Sequence, residues 1–122
     1  MELIDEIEEL IMMHQEGSYW DFKREWYDDS KDGDLLIDII CMANNLVDRD
    51  AYIIIGVNEE CDYAIHDVSQ DANRRNTQML TDFIRGKKFA GDFRPVVTVE
   101  QVHLDGGLVD VIVVHNSINT PY

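Results

Sequence analysis

The sequence predicts an α+β fold, a mixed α/β sandwich whose mixed sheet of about four to six strands carries three helices and ends in a β-hairpin. Three observations predict it. Three stretches place apolar residues at helical spacing. The run "AYIIIGV" (51–57) is continuous and β-branched, as in a strand buried on both faces. Finally, "VVTVEQVHL" and "LVDVIVVH" flank "DGG", and Asp-Gly between two β-branched runs is a strong hairpin signal. With 122 residues and no internal repeat or low-complexity segment, residues 1–122 read as a single domain.

In chain order, residues 2–14 put Leu3, Ile4, Ile7, Leu10, Ile11 and His14 on one helix face and Glu2, Asp5, Glu6, Glu8 and Glu9 on the other. Acids near the start suit the helix dipole. Gly17 breaks the period, and "YWDFK" alternates as a short strand. Trp20 and Phe22 fall on one strand face, the core side, and Tyr19, Asp21 and Lys23 on the other. "DDSKDGD" (28–34) is a polar loop with several helix-capping residues. A second helix follows, with Leu35, Leu36, Ile39, Ile40, Ala43, Leu46 and Val47 as its stripe and Asn44 near its end. After the buried strand, residues 58–71 form an acidic loop with one short strand near Tyr63–Ile65. A third helix is expected from about Ala72 to Arg85, with Met79, Leu80, Phe83 and Ile84 as its apolar set and "RGKKF" closing it.

Composition excludes several classes. The longest apolar run is far too short to cross a bilayer, and the acidic start does not read as a signal peptide. A cytoplasmic protein with no membrane partner is expected. Cys41 and Cys61 form no close pair, so reduced structural thiols are expected, and the four histidines show no zinc-ligand spacing. The net charge of −15 opposes a generic polyanion binder. Its distribution is uneven. Residues 1–34 hold 12 acids against 3 bases, whereas residues 72–104 hold 6 bases against 3 acids. Charges more than about 8 Å apart are largely screened at physiological salt. A local basic surface from Arg74, Arg75, Arg85, Lys87, Lys88 and Arg94 would therefore still contact phosphates. Lys31 and Arg24 would extend it, and Tyr19, Trp20, Trp26 and Tyr27 lie near enough in sequence to stack on bases. The plain alternative for these bases is a solvated helix face, and for Trp20 and Phe22 the core.

"EGSYWDFKREW" (16–26) carries the sharpest chemical signal. Glu16, Asp21 and Lys23 surround an aromatic strand, and Asp21-x-Lys23 sets a carboxylate and an ammonium on one strand face. The plain alternative is a solvated pair worth about 0–1 kcal/mol. Gly56 reads as the end of a buried strand, or else as a point of close backbone approach to a ligand.

Together "EGSYWDFKREW", "IICMANN", "AYIIIGVNEE" and "VDVIVVHNSINTPY" resemble the AlbA-like DNA-binding domain of the Schlafen family. The resemblance covers about residues 14–122. It falls on Glu16, Asp21-Phe22-Lys23, Ala43-Asn44, Gly56-Val57 with Glu59, and Ser117 with Pro121-Tyr122. Two departures stand out. "LVDRD" (46–50) replaces the usual Gly-Gly turn, and the chain stops at Tyr122, where relatives continue into a strand carrying an arginine. The second departure implies an N-terminal fragment of a longer protein. In some animal members three acids of this domain form a metal-dependent site that cuts structured RNA. The resemblance carries that catalytic and metal-ligating role to Glu16, Asp21 and, between Asn58 and Glu60, Glu59, with Mg2+ or Mn2+ as the ion. Lys23 would hold the scissile phosphate.

Three functions stay open. The leading one is a nucleic-acid (DNA) binding domain of a bacterial or phage transcriptional regulator or helicase-related protein, using Lys23 and the basic cluster. The second is a metal-dependent endoribonuclease of the Schlafen type. The third is a non-catalytic dimerisation or assembly module, in which the strands after Pro95 make a homodimer and the acidic surface meets a basic partner.

Overall fold

A computed structural model describes residues 2–44, 49–87 and 94–116. Lys88, Ser117, Pro121, Tyr122 and most of "LVDRD" lie outside the described residues, as do Leu46 and Val47 of the expected second helix stripe.

Helix α1 (Leu3–Met12) buries Ile7 and Leu10 and keeps Asp5 and Glu6 in its first turn, where carboxylates meet unpaired backbone N–H groups. His14 closes it at φ 51°, in the left-handed region. Strand β1 (Trp20–Lys23) alternates as its sequence requires, with Trp20 and Phe22 buried and Asp21 and Lys23 on the opposite face. Asp28 accepts from Ser30 N–H at the head of a short 3₁₀ turn, and α2 (Asp32–Ala43) follows, burying Leu35, Ile39 and Ala43. Strand β2 (Ala51–Ile55) is buried at every position. Isoleucines 53, 54 and 55 each contribute roughly 2 kcal/mol by leaving water.

Four strands form a mixed sheet in the order β1-β2-β6-β5, where β5 spans Val97–Leu104 and β6 spans Gly107–Val114. β1 runs parallel to β2, as a strand–helix–strand crossover through α2 demands, and the other pairs are antiparallel. The expected hairpin is β5–β6, turning at Asp105-Gly106. The sheet is covered on both faces. Ile53, Ile55, Ile112 and Val114 meet Leu35, Ile39 of α2 and Leu80, Ile84 of α3 (Thr77–Arg85). Tyr52, Ile54, Val111 and Val113 meet Ile7 and Leu10 of α1. That double burial is why β2 carries no polar alternation. The result is an α+β fold with three helices, as the sequence predicts.

Three local features differ from expectation. The run "AYIIIGV" is not one strand. Gly56 takes φ +119°, its N–H bonds Lys23 O at 2.7 Å, and its carbonyl accepts from His66 N–H at 2.7 Å. A side chain there would meet His66 O at 3.1 Å as well as an unfavourable φ. The chain leaves the main sheet at this glycine, and β3 (Val57–Asn58) pairs with β4 (Ala64–Ile65) in a separate ribbon. Second, α3 starts at Thr77, not near Ala72. Asn76 accepts from Met79 N–H at 2.9 Å as a cap, while Asp71 holds the preceding turn through Asn73 N–H (2.8 Å) and Trp26 N–H (2.9 Å). Third, Cys41 and Cys61 are both free and exposed, which corrects the expectation of structural thiols.

Candidate functional site

Three elements meet at one spot. Glu16 follows α1 in a loop held by the Gly17–Trp20 bridge, in which Gly17 N–H donates to Trp20 O at 3.2 Å. The Trp20 ring lies so close over Gly17 that a Cβ there would stand 2.2 Å from ring carbons. Only glycine lets the loop fold back and aim Glu16 at β1. Asp21 comes from β1 itself. Glu59 comes from the 3₁₀ turn after β3, which the Gly56 break swings back over β1; Asn58 caps that turn by accepting from Glu60 N–H at 3.1 Å. Each of the three acids offers a carboxylate oxygen, and these oxygens lie within 4.8 Å of one another.

Asp21 is the inner member, with 13% of its side chain exposed. Its Oδ1 accepts from Phe22 N–H at 3.0 Å, which fixes the carboxylate plane. Its Oδ2 stands 3.5 Å from Lys23 Nζ, and the same ammonium stands 3.5 Å from Asp38 Oδ2 on α2. Tyr27 O–H donates to that Asp38 oxygen at 2.5 Å. Burial, followed by the hydrogen bond with Glu16, pushes Asp21 up to about 6, against the pull of Lys23. The hydrogen bond with Glu59 and then burial also raise Glu16. Burial works to lower Lys23, but Asp21 and Asp38 together outweigh it and hold the ammonium above its ordinary value. Burial, then the bond to Asp38, raises the Tyr27 phenol, so it remains a donor at every physiological pH.

Carboxylates this close repel unless something positive sits between them. A proton does so in acid; a divalent cation would do so near neutrality. Every donor is a carboxylate oxygen, which suits a hard ion. Adjacent oxygens on an octahedral magnesium stand about 3 Å apart, so the three side chains would have to draw in from their 4.8 Å spread, or reach the ion partly through water, to share it. The residues fit Mg2+ or Mn2+. An open hollow of about 400 Å³, lined by Lys23, Arg24, Asn58 and Glu59, adjoins the cluster and admits solvent and ligand.

The basic residues divide differently. Arg74 grips the buried Asp110 through both nitrogens (2.8 and 2.9 Å), and Trp26 Nε1–H donates to the same carboxylate at 2.8 Å. Arg75 bonds Asp32 at 2.5 Å and lies over the Phe83 ring. These two guanidinium groups join loops to the fold. Arg85 is 71% exposed, 3.8 Å from Asp82, and shares a hollow of about 230 Å³ with the exposed Arg94. Lys87 packs over Phe83 at 4.7 Å. Thus Lys23 joins the acids, with Arg24 and Lys31 lining the hollows beside it, whereas Arg85, Lys87 and Arg94 belong to the α3 side. Trp26 and Tyr27 are buried, with 3% and 6% exposure, so the expectation that they stack on bases is corrected. Trp20 and Phe22 are core, as the alternation predicts.

Sequence reasoning missed Asp38 and Tyr27 as neighbours of Lys23, because a helix acid beside a buried stripe looks like any solvated one. It also missed Asp110, where the signal was present: a lone acid inside "LVDVIVV" in a strand buried on both faces.

The fold and site define an α+β domain with a carboxylate cluster suited to a divalent cation. The family model Schlafen, AlbA_2 matches residues 16–122, and the chain belongs to that family. No curated protein matches the sequence significantly. The family is compatible with a nucleic-acid-binding domain. Among the described residues no helix is long and apolar enough to cross a membrane.

Proposed function

We propose that this domain binds nucleic acid at the Glu16–Asp21–Glu59 cluster and cleaves it there with Mg2+ or Mn2+, structured RNA being the substrate that the resemblance to some animal members suggests. One observation carries the reading: three carboxylates from separate elements converge within 4.8 Å, and a lysine stands 3.5 Å from the innermost. The family match supports it. In this reading Glu16, Asp21 and Glu59 hold the ion, and Lys23 binds a non-bridging phosphate oxygen from the open hollow. Phe22 N–H keeps Asp21 from rotating away. A divalent ion bound here would stabilise charge on the phosphodiester and acidify an attacking water. Such a module would serve a bacterial or phage transcriptional regulator or helicase-related protein as the part that engages nucleic acid.

Engagement of Arg74 and Arg75 by aspartates favours this route over a charge-only contact across the basic cluster. The test incubates structured RNA, and separately duplex DNA, with the wild type, Asp21→Ala and Glu59→Ala, in Mn2+ and in EDTA. Cleavage that needs Mn2+ and falls about 100-fold or more in both variants is expected. Equal cleavage by wild type and variants signals a contaminating nuclease and removes the proposal. Retention of RNA that depends on Mn2+ without any cleavage leaves a binding domain and removes hydrolysis.

A further inference from the structure

We infer that Asp38 on α2 and Tyr27 in the loop that follows β1 are positioning residues: they hold the Lys23 ammonium away from full collapse onto Asp21 and so keep both groups available to the site. The inference rests on the proposed cation site for its consequence, while the contacts themselves stand on geometry alone.

Lys23 Nζ is equidistant, at 3.5 Å, from Asp21 Oδ2 and Asp38 Oδ2. With a single acid partner an ammonium on a flexible stem would settle on that partner and neutralise it. Asp21 would then be a poorer cation ligand, and the remaining donors of Lys23 would have no fixed direction toward the site. A second carboxylate on the far side changes the balance. It divides the ammonium between two anchors and leaves the third of its donors for an incoming phosphate oxygen. Asp38 is itself fixed. Tyr27 O–H bonds the Asp38 oxygen that faces Lys23, and the Tyr27 ring, buried beneath, lies 5.9 Å from Nζ. Lys23 keeps 36% of its side chain exposed, so a ligand reaches it. It also lines two hollows, the one beside Glu59 and another of about 340 Å³ bounded by Tyr27, Lys31, Asp34 and Asp38. The ammonium therefore stands at the junction between the acid cluster and a groove along α2.

The experiment is a double-mutant cycle on Mn2+ affinity, read by titration with the metal alone. It uses the wild type, Asp38→Asn, Lys23→Ala and the double variant. Loss of Asp38 should release Lys23 onto Asp21 and weaken Mn2+ binding about threefold or more, whereas in the Lys23→Ala background the same change should have little effect. An equal loss in both backgrounds makes Asp38 a through-space charge and overturns the inference, as does no loss in either. A second readout uses the metal-free protein. The two Lys23 Hε protons, identified by their absence in Lys23→Ala, should be distinct in the wild type and should converge in Asp38→Asn and, in part, in Tyr27→Phe. Unchanged Hε shifts overturn the inference. If the wild type binds no Mn2+, the cation site fails and the Hε shifts alone decide whether Asp38 holds Lys23.

Discussion

Replacing Asp21 with asparagine should stabilise the metal-free domain at neutral pH and destroy its stabilisation by divalent cations. The sign follows from the direction of the displacement. Asp21 is pushed from its ordinary 3.8 up to about 6, by burial and then by the hydrogen bond with Glu16. A folded-state value raised above the unfolded one means that the folded state holds the proton more tightly. That contribution is full below about pH 4 and is lost as the pH climbs through 6. At pH 7.5 the wild type therefore carries an ionised, crowded carboxylate that the unfolded chain would solvate freely. At about 1.4 kcal/mol per pKa unit, the displacement corresponds to an upper bound of about 3 kcal/mol. The exposed Glu16 side of the cluster admits water, and screening reduces this to roughly 1–2 kcal/mol. Asparagine keeps the shape, and its Oδ1 can still accept from Phe22 N–H.

For a domain of this size that gain raises Tm by about 5 °C. Calorimetry in EDTA should show Asp21→Asn more stable than the wild type at pH 7.5, with the difference shrinking toward pH 5. Groups remote from the cluster cancel in the difference between the two proteins, which therefore reports Asp21 together with its hydrogen-bonded partner Glu16. Saturating Mn2+, at about 100 times Kd, should then stabilise the wild type by about 2.7 kcal/mol and the variant far less, reversing their order. A variant less stable than the wild type in EDTA at pH 7.5 would mean that Lys23 and the backbone already satisfy Asp21, and the reasoning from crowding would be wrong.

Three further outcomes are expected. Arg74→Ala leaves Asp110, at 1% exposure, with Trp26 as its remaining donor, so urea titration should show a loss of about 3 kcal/mol; full stability with lost RNA binding would return Arg74 to the role of a phosphate contact. Gly56→Ala forces φ +119° on a residue with a Cβ and presses it against His66 O, for a loss of about 2 kcal/mol and, through the misplaced 3₁₀ turn, a weaker Mn2+ site; unchanged Tm and Mn2+ affinity refute the role given to this glycine. Charge reversal at the exposed Arg85 together with Lys87 should lower RNA affinity and flatten its salt dependence by about two counterions if the α3 side touches phosphates, as titrations from 50 to 200 mM salt will show.

How much of this could be read from the chain follows from what local pattern encodes. Trp20 and Phe22 announced their burial by alternation, and the isoleucines of β2 announced burial on both faces. Both signals depend only on near neighbours in sequence. The Gly56 break did not show, since a β-branched run says nothing about where the chain changes partners. The true start of α3 was equally hidden: Asp71 holds Asn73 in a local turn, and Arg74 is drawn out of the helix by Asp110, a contact 36 residues away. In the site, the face shared by Asp21 and Lys23 was legible from strand periodicity. The presence of Glu16 and Glu59 beside them was an expectation from resemblance alone, since residue types carry no distance information. Trp26 and Tyr27 misled, because an aromatic next to charged residues reads as surface until Asp110 and Asp38 are known to receive their N–H and O–H.

The acidic composition and the proposed ligand are reconciled at the cluster itself. Counting Asp38, four carboxylates against one ammonium give the site a local charge of −3 in the ionised state, so a bare site repels phosphate. One divalent ion cuts that to −1 and places its own positive charge where the phosphate would arrive. Repulsion from the remaining acids fades beyond about 8 Å at physiological salt, and the four acids of α1 lie on a helix packed against the opposite sheet face from α2 and α3. Cation and nucleic acid should therefore bind in linked fashion, each raising the affinity of the other by the same factor. A chain that is acidic overall need not rely on a basic surface to meet a polyanion if its carboxylates gather the countercharge at one point, and here the gathering point is also where Lys23 stands.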